Sequence, residues 1–129
     1  MEWTKAIQDA LDYIESHITE NISANDVARH VCVSPYYFHK GFRMLCGYSL
    51  MEYIRNRKLS LAGEELLCSA LSVIDLAIKY GYDSPDSFTK AFTRFHCISP
   101  SGVRREKSMV KIFAPLKLTI SLKGGYIMD

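Results

Sequence analysis

The stretch Ser34-Pro35-Tyr36-Tyr37-Phe38-His39-Lys40-Gly41-Phe42-Arg43-Met44-Leu45 decides how the rest of the chain is read. It predicts a helix with Ser34 at the N-cap and Pro35 at the first helical position, where the absent N–H has no bond to lose. Phe38, Phe42 and Leu45 fall at i, i+4 and i+7, which makes them one buried stripe. Tyr37 lies near that stripe and is assigned to packing. Tyr36, His39, Lys40 and Arg43 share the opposite face and point to solvent. Gly47 follows where a helix C-cap is expected.

Upstream, Trp3, Ile7, Leu11, Ile14 and Ile18 recur at helical spacing and predict an amphipathic helix over 3–18. Ser23 with Asp26 three residues later is a capping-box pattern. It opens a short helix to Val31, with Val27, Ala28 and Val31 inside. Cys32-Val33 leaves room only for a tight turn before Ser34. Two short helices joined by such a turn, the second carrying exposed cations, form a helix-turn-helix pattern.

Downstream, Ser49 and Glu52 cap a helix over 50–68. Its apolar positions change face midway: Leu50, Tyr53 and Ile54 come first, Leu59, Ala62 and Leu66 later, with Arg55-Asn56-Arg57-Lys58 between. A helix of this kind packs on a separate core at each end. At 1.5 Å per residue it spans roughly 28 Å, near the ~34 Å of one DNA turn.

The pattern then repeats. Ser72 and Asp75 match Ser23 and Asp26 at an offset of 49, and Leu76-Ala77 matches Val27-Ala28. After Gly81-Tyr82-Asp83 the offset becomes 50, and Ser84-Pro85, Phe88, Lys90 and Phe92 match Ser34-Pro35, Phe38, Lys40 and Phe42. Phe95 stands where Leu45 stood, and Ser99-Pro100 opens a last helix carrying Arg104 and Arg105. The fold class that follows is all-α, about seven helices: a first helix-turn-helix unit over 1–48, a linker helix over 49–69 and a second unit over 70–107.

The charge is distributed accordingly. The formal net charge is +2, but residues 1–26 carry −5, residues 35–58 carry +4 and residues 84–107 carry +3. Cations thus gather on the two repeated segments, a layout suited to a polyanion. Hydrophobic residues make up 48% and charged residues 23%, the balance of a folded globular domain. No apolar run of membrane-spanning length is present and no signal peptide is expected, so the chain is assigned to the cytoplasm. Cys32, Cys46, Cys68 and Cys97 are scattered without metal-ligand spacing and are expected to be reduced, buried thiols, with no metal site and no cofactor. No Gly-rich phosphate loop or nucleophile constellation argues for an enzyme. A helical protein–protein interaction module is the rival to a DNA binder.

Ser72-Val73-Ile74-Asp75-Leu76-Ala77, Gly81-Tyr82-Asp83-Ser84, Phe88-Thr89-Lys90-Ala91-Phe92, Ser99-Pro100 and Arg104 together resemble the DNA-binding domain of AraC/XylS-type transcription regulators. Tyr53-Ile54-Arg55, Arg57-Lys58-Leu59 and Ala62 resemble that family's linker helix. Cys97, where the family usually has Gly, and Val103, where it often has an aromatic, depart from the pattern. The resemblance implies a sequence-specific regulator whose two recognition helices enter successive major grooves of a double-stranded operator. By position, Tyr36, His39, Lys40, Asp86, Ser87, Thr89 and Lys90 become candidate base readers. Arg43, Thr93, Arg94, Arg104 and Arg105 become candidate phosphate contacts. Arg55, Arg57 and Lys58 are assigned either to DNA or to ion pairs with Glu64, Glu65 or Asp75. RNA polymerase is a further implied partner, and a nucleoid location follows from DNA binding.

From residue 108 the period changes. Leu116, Leu118, Ile120 and Leu122 alternate with Lys117, Thr119, Ser121 and Lys123, which predicts a C-terminal β-strand in 108–129. A lone strand needs a partner. Similar chains continue into a gyrase-inhibitor-like domain that senses a small-molecule effector, so the tail is expected either to enter such a domain, otherwise missing here, or to pair in a homodimer through residues 111–123.

Overall fold

The computed structural model describes residues 2–126 and contains seven α-helices among them. These are α1 (Trp3–Ser16), α2 (Ala24–His30), α3 (Pro35–Cys46), α4 (Leu50–Cys68), α5 (Val73–Lys79), α6 (Pro85–His96) and α7 (Pro100–Glu106). Side-chain caps fix most starts. Ser23 and Ser49 form reciprocal capping boxes with Asp26 and Glu52, and Ser72 and Ser99 each accept one backbone N–H. Ser34 occupies the cap of α3 without bonding through its hydroxyl. The first helix stops at Ser16, and His17–Ile22 continue as turn and extended chain, with Ile18 and Ile22 still buried.

Two cores form, one at each end of α4. The first joins Ile7, Leu11, Ile14, Val27, Phe38 and Phe42 to Leu50, Tyr53 and Ile54. The second joins Leu59, Ala62 and Leu66 to Leu76, Phe88, Phe92 and Val103. Val103 is fully buried, so an aliphatic residue fills that place. The change of face along α4 is what lets one helix serve both clusters.

Four expectations are corrected. The described residues contain no strand, because the tail from Ser108 runs as irregular extended chain. The N–H groups of Lys111, Phe113 and Leu116 bond to side chains of α6 and α4 instead of a neighbouring backbone. Alternation in 116–123 therefore does not signal a strand: Leu116 packs on the first core while Leu118, Ile120 and Leu122 are exposed. Leu45 does not complete the stripe of α3; it is 61% exposed, since it sits in the last turn, on the rim of an open groove shared with α1 and the tail. Its counterpart Phe95 is half-buried against the second core. Tyr37 is 65% exposed, its ring set edge-on to Tyr36. Among the cysteines only Cys46 is partly shielded. Cys32 and Cys97 occupy left-handed turn positions facing solvent, and Cys68 ends α4.

Candidate nucleic-acid interface

Each unit presents its second helix in the same way. Phe38 and Phe42 anchor α3, and Phe88 and Phe92 anchor α6, all four fully buried. The anchors direct Tyr36, Lys40 and Arg43 outward on α3, and Asp86, Lys90, Thr93 and Arg94 outward on α6. Lys40 and Lys90 hold equivalent positions, and both are exposed. The Lys40 ammonium lies 5.9 Å from the centre of the Tyr36 ring, a local cation–π contact that holds both side chains on one surface. Arg43 lies 3.7 Å from Glu52, an exposed pairing that a phosphate could replace.

Other candidates sit differently. His39 is half-buried and its Nε2 is enclosed without a hydrogen-bond partner, so that nitrogen is turned away from the outer surface. Thr89 is half-buried at the matching place. Ser87 closes a capping box with Ser84, donating to its carbonyl at 2.9 Å, which commits the hydroxyl to the helix start. Arg104 is tied into the fold: its guanidinium donates to the carbonyls of Leu66 and Ser69, at the end of α4. Arg105 and Arg55 are exposed.

The middle of α4 is partly buried although it is polar. Arg57 is only 5% exposed and pairs with Glu15 of α1, at 2.6 Å from Nε and 3.0 Å from Nη2. Of the partners expected from sequence, Glu65 accepts instead from Lys79 and from the Tyr80 hydroxyl, while Glu64 acts on Arg57 only through its charge. Arg57 also donates to the Phe113 carbonyl. Lys58 is half-buried with its ammonium 3.5 Å from the Glu20 carbonyl, and burial pushes its pKa down. Tyr53, Arg57 and Ser60 form a polar yet buried stripe at i, i+4 and i+7 that sequence reasoning missed. Its signal was the helical spacing of three hydrogen-bonding side chains on a helix buried at both ends.

Two cation-bearing helices held at the ends of a 19-residue linker define a tandem helix-turn-helix protein. Comparison with known proteins makes the class specific. A family model described as "Helix-turn-helix domain" matches residues 27–106. The transcriptional activator AarP of Providencia stuartii is 40% identical over 98 residues, 76% of this chain and 73% of that protein. The right origin-binding protein of Escherichia coli is 32% identical over 120 residues, 92% of this chain but 42% of that protein. Among solved structures, the C-terminal domain of AraT from Geobacillus stearothermophilus superposes with a TM-score of 0.76 at 24% identity, covering 91% of this chain and 94% of that one. The DNA-binding domain of AdpA, solved in complex with a target DNA, gives 0.73 at 23% identity, covering 78% and 91%. The chain belongs to the helix-turn-helix family of DNA-binding transcription regulators, and its fold is that of AraC-type DNA-binding domains. No helix among the described residues is long and apolar enough to cross a membrane.

Proposed function

We propose that the chain regulates transcription by laying α3 and α6 into successive major grooves on one side of a double-stranded operator, in the bacterial cytoplasm. The observation that carries this is the equivalence of exposed Lys40 and Lys90 on two helices separated by a linker of 19 residues, a span of roughly 28 Å. Tyr36 and Lys40, then Asp86, Thr89 and Lys90, are the base-reading set. Lysine donates to guanine N7 or O6, threonine packs on a thymine methyl, and aspartate accepts from cytosine N4. Arg43, Thr93, Arg94 and Arg105 meet phosphates, and Arg55 is placed to join them. The first unit is the stronger binder, since Tyr36 and Arg43 stand where the second has Asp86 and Thr93.

A protein-interaction module has one observation in its favour. Tyr37, Met44 and Leu45 of α3 form an open apolar surface with Trp3 of α1. Selection of duplexes from a random library, followed by titration at rising salt, decides between the two. A DNA reader enriches a common sequence and loses affinity steeply with salt. An absence of duplex binding at low salt would leave the module reading.

A further inference from the structure

The helix α4 is not the only connection between the two units. After α7 the chain turns back and runs along α4 from the second core to the first. Val110 packs on the second core, and Phe113 and Leu116 pack on the first. Three backbone donors fasten the crossing. Lys111 N–H donates to His96 Nδ1 at 3.0 Å, Phe113 N–H to Ser60 Oγ at 2.9 Å and Leu116 N–H to the Tyr53 hydroxyl at 3.1 Å. All three acceptors lie inside the protein: His96 is 5% exposed, Ser60 and Tyr53 are 0%. Arg57, already paired with Glu15 of α1, donates to the Phe113 carbonyl and ties the crossing to the first unit a second time.

The two ends of this segment are related by the repeat. His96 is the last residue of α6. Leu116, Lys117 and Leu118 border a groove with Leu45 and Cys46, the last residues of α3, and with Ile7 of α1. Cys46 and His96 are equivalent positions at the offset of 50. The tail therefore meets both recognition helices at the same place, their C-terminal ends, and spans the distance between them. Without it, buried groups on α4 and α6 lose their partners.

We propose that residues 110–118 are a positioning strap that fixes α3 relative to α6 and so sets the half-site spacing the protein accepts. The proposal rests on the two-groove reading above. Two reading units on a stiff connection reinforce each other only when both sites fall where the connection holds them, whereas a looser connection lowers that gain and widens the accepted spacings.

The full chain is titrated with a duplex selected from a random library, and with the same duplex lengthened by about two base pairs between its half-sites. Wild-type protein loses at least about tenfold on the lengthened duplex. The double variant Phe113→Ala/Leu116→Ala, with its fold checked by circular dichroism, binds the selected duplex about tenfold more weakly and loses less than about threefold on lengthening. Ser60→Ala, which removes one fastening and no core contact, moves both measures in the same direction and is decisive if the double variant does not fold. A folded variant that keeps the wild-type spacing preference overturns the strap even if its melting temperature falls, because a merely structural tail changes stability alone. Wild-type indifference to spacing overturns it too. Failure of wild-type protein to bind the selected duplex in a salt-dependent way is a different result, and it removes the two-groove reading itself.

Discussion

Cys97 ends α6 at the position where Gly47 ends α3, and both turn the backbone into the left-handed region, at φ of 63° and 80°. Only glycine adopts that conformation without cost; a Cβ raises it by about 1–2 kcal/mol. The Cys97 side chain faces solvent and has no packing to offset this. Cys97→Gly is expected to stabilise the protein by about 0.5–1 kcal/mol after the greater freedom of glycine in the unfolded chain is set against it. A rise of roughly 3 °C in melting temperature checks it. An unchanged or lower value would mean the thiol makes a contact that offsets the backbone cost.

His96 gives the fold a pH dependence of defined sign. Burial is the main cause that holds its pKa below the ordinary 6.5; the Lys111 charge acts the same way, and the hydrogen bond with the Leu59 carbonyl opposes them. With Nε2 donating to that carbonyl, Nδ1 is left as acceptor for the Lys111 N–H, so the folded imidazole is neutral. Below about pH 6.5 the unfolded chain takes up a proton that the folded chain resists. The stability held above that pH is therefore lost progressively as pH falls toward and through the folded pKa. Urea denaturation at about pH 7.5 and about pH 5.5 should show the loss, and His96→Gln should shrink the difference between the two.

Most of this architecture could be read in the chain because it rests on local rules: serine caps, aromatic spacing of four and a repeat at a constant offset. The recognition helices and their outward lysines belong to that class. What escaped depends on pairings far apart in sequence. Nothing near Arg57 points to Glu15, 42 residues away, and nothing near Ser60 points to the N–H of Phe113, 53 residues on. The tail misled for a related reason. Alternation of apolar and polar residues describes any extended chain with one side against a surface, and here that surface is a helix with buried hydroxyls instead of a second strand.

The Glu15–Arg57 pair should be among the costliest to break from one side. Removing the carboxylate leaves a guanidinium that is nearly enclosed, with only the Phe113 carbonyl to meet it. Breaking a buried pair in this way costs about 3 kcal/mol, and less where a partner is partly exposed, as Glu15 is. Glu15→Gln is therefore expected to destabilise the chain by about 1–2 kcal/mol, read from the urea midpoint at constant slope. A change within about 0.5 kcal/mol would place the pair among surface salt bridges instead.

Gly63 lies inside α4 beneath the crossing tail. A Cβ there would lie 2.8 Å from His96 Cε1, closer than packed atoms tolerate, and 3.1 Å from Val110 Cβ, a tight contact. Gly63→Ala should then cost about 1–3 kcal/mol despite the better helix propensity of alanine, which alone would favour the change by about 1 kcal/mol. Thermal unfolding decides the sign, and stabilisation would show that His96 and the tail can shift to make room.

The unequal chemistry of the two recognition helices leads to a difference between equivalent lysines. Lys40 stands beside Tyr36, whose ring it overlies, and one helical turn from Arg43. Lys90 stands beside Asp86, whose negative charge opposes a phosphate backbone, and Thr93 replaces the arginine. Truncating a groove-bound lysine costs about 1–3 kcal/mol if it bonds a base edge and less if it only meets a phosphate. Lys40→Ala is expected to weaken binding to the selected duplex by about 2 kcal/mol, roughly thirtyfold, and Lys90→Ala by about half as much in free energy. Base reading is separated from phosphate contact by salt: loss of a phosphate contact lowers the slope of log affinity against log salt by about one, whatever the sequence. A larger loss at Lys90 than at Lys40, measured on the same duplex, would reverse the order of the two units.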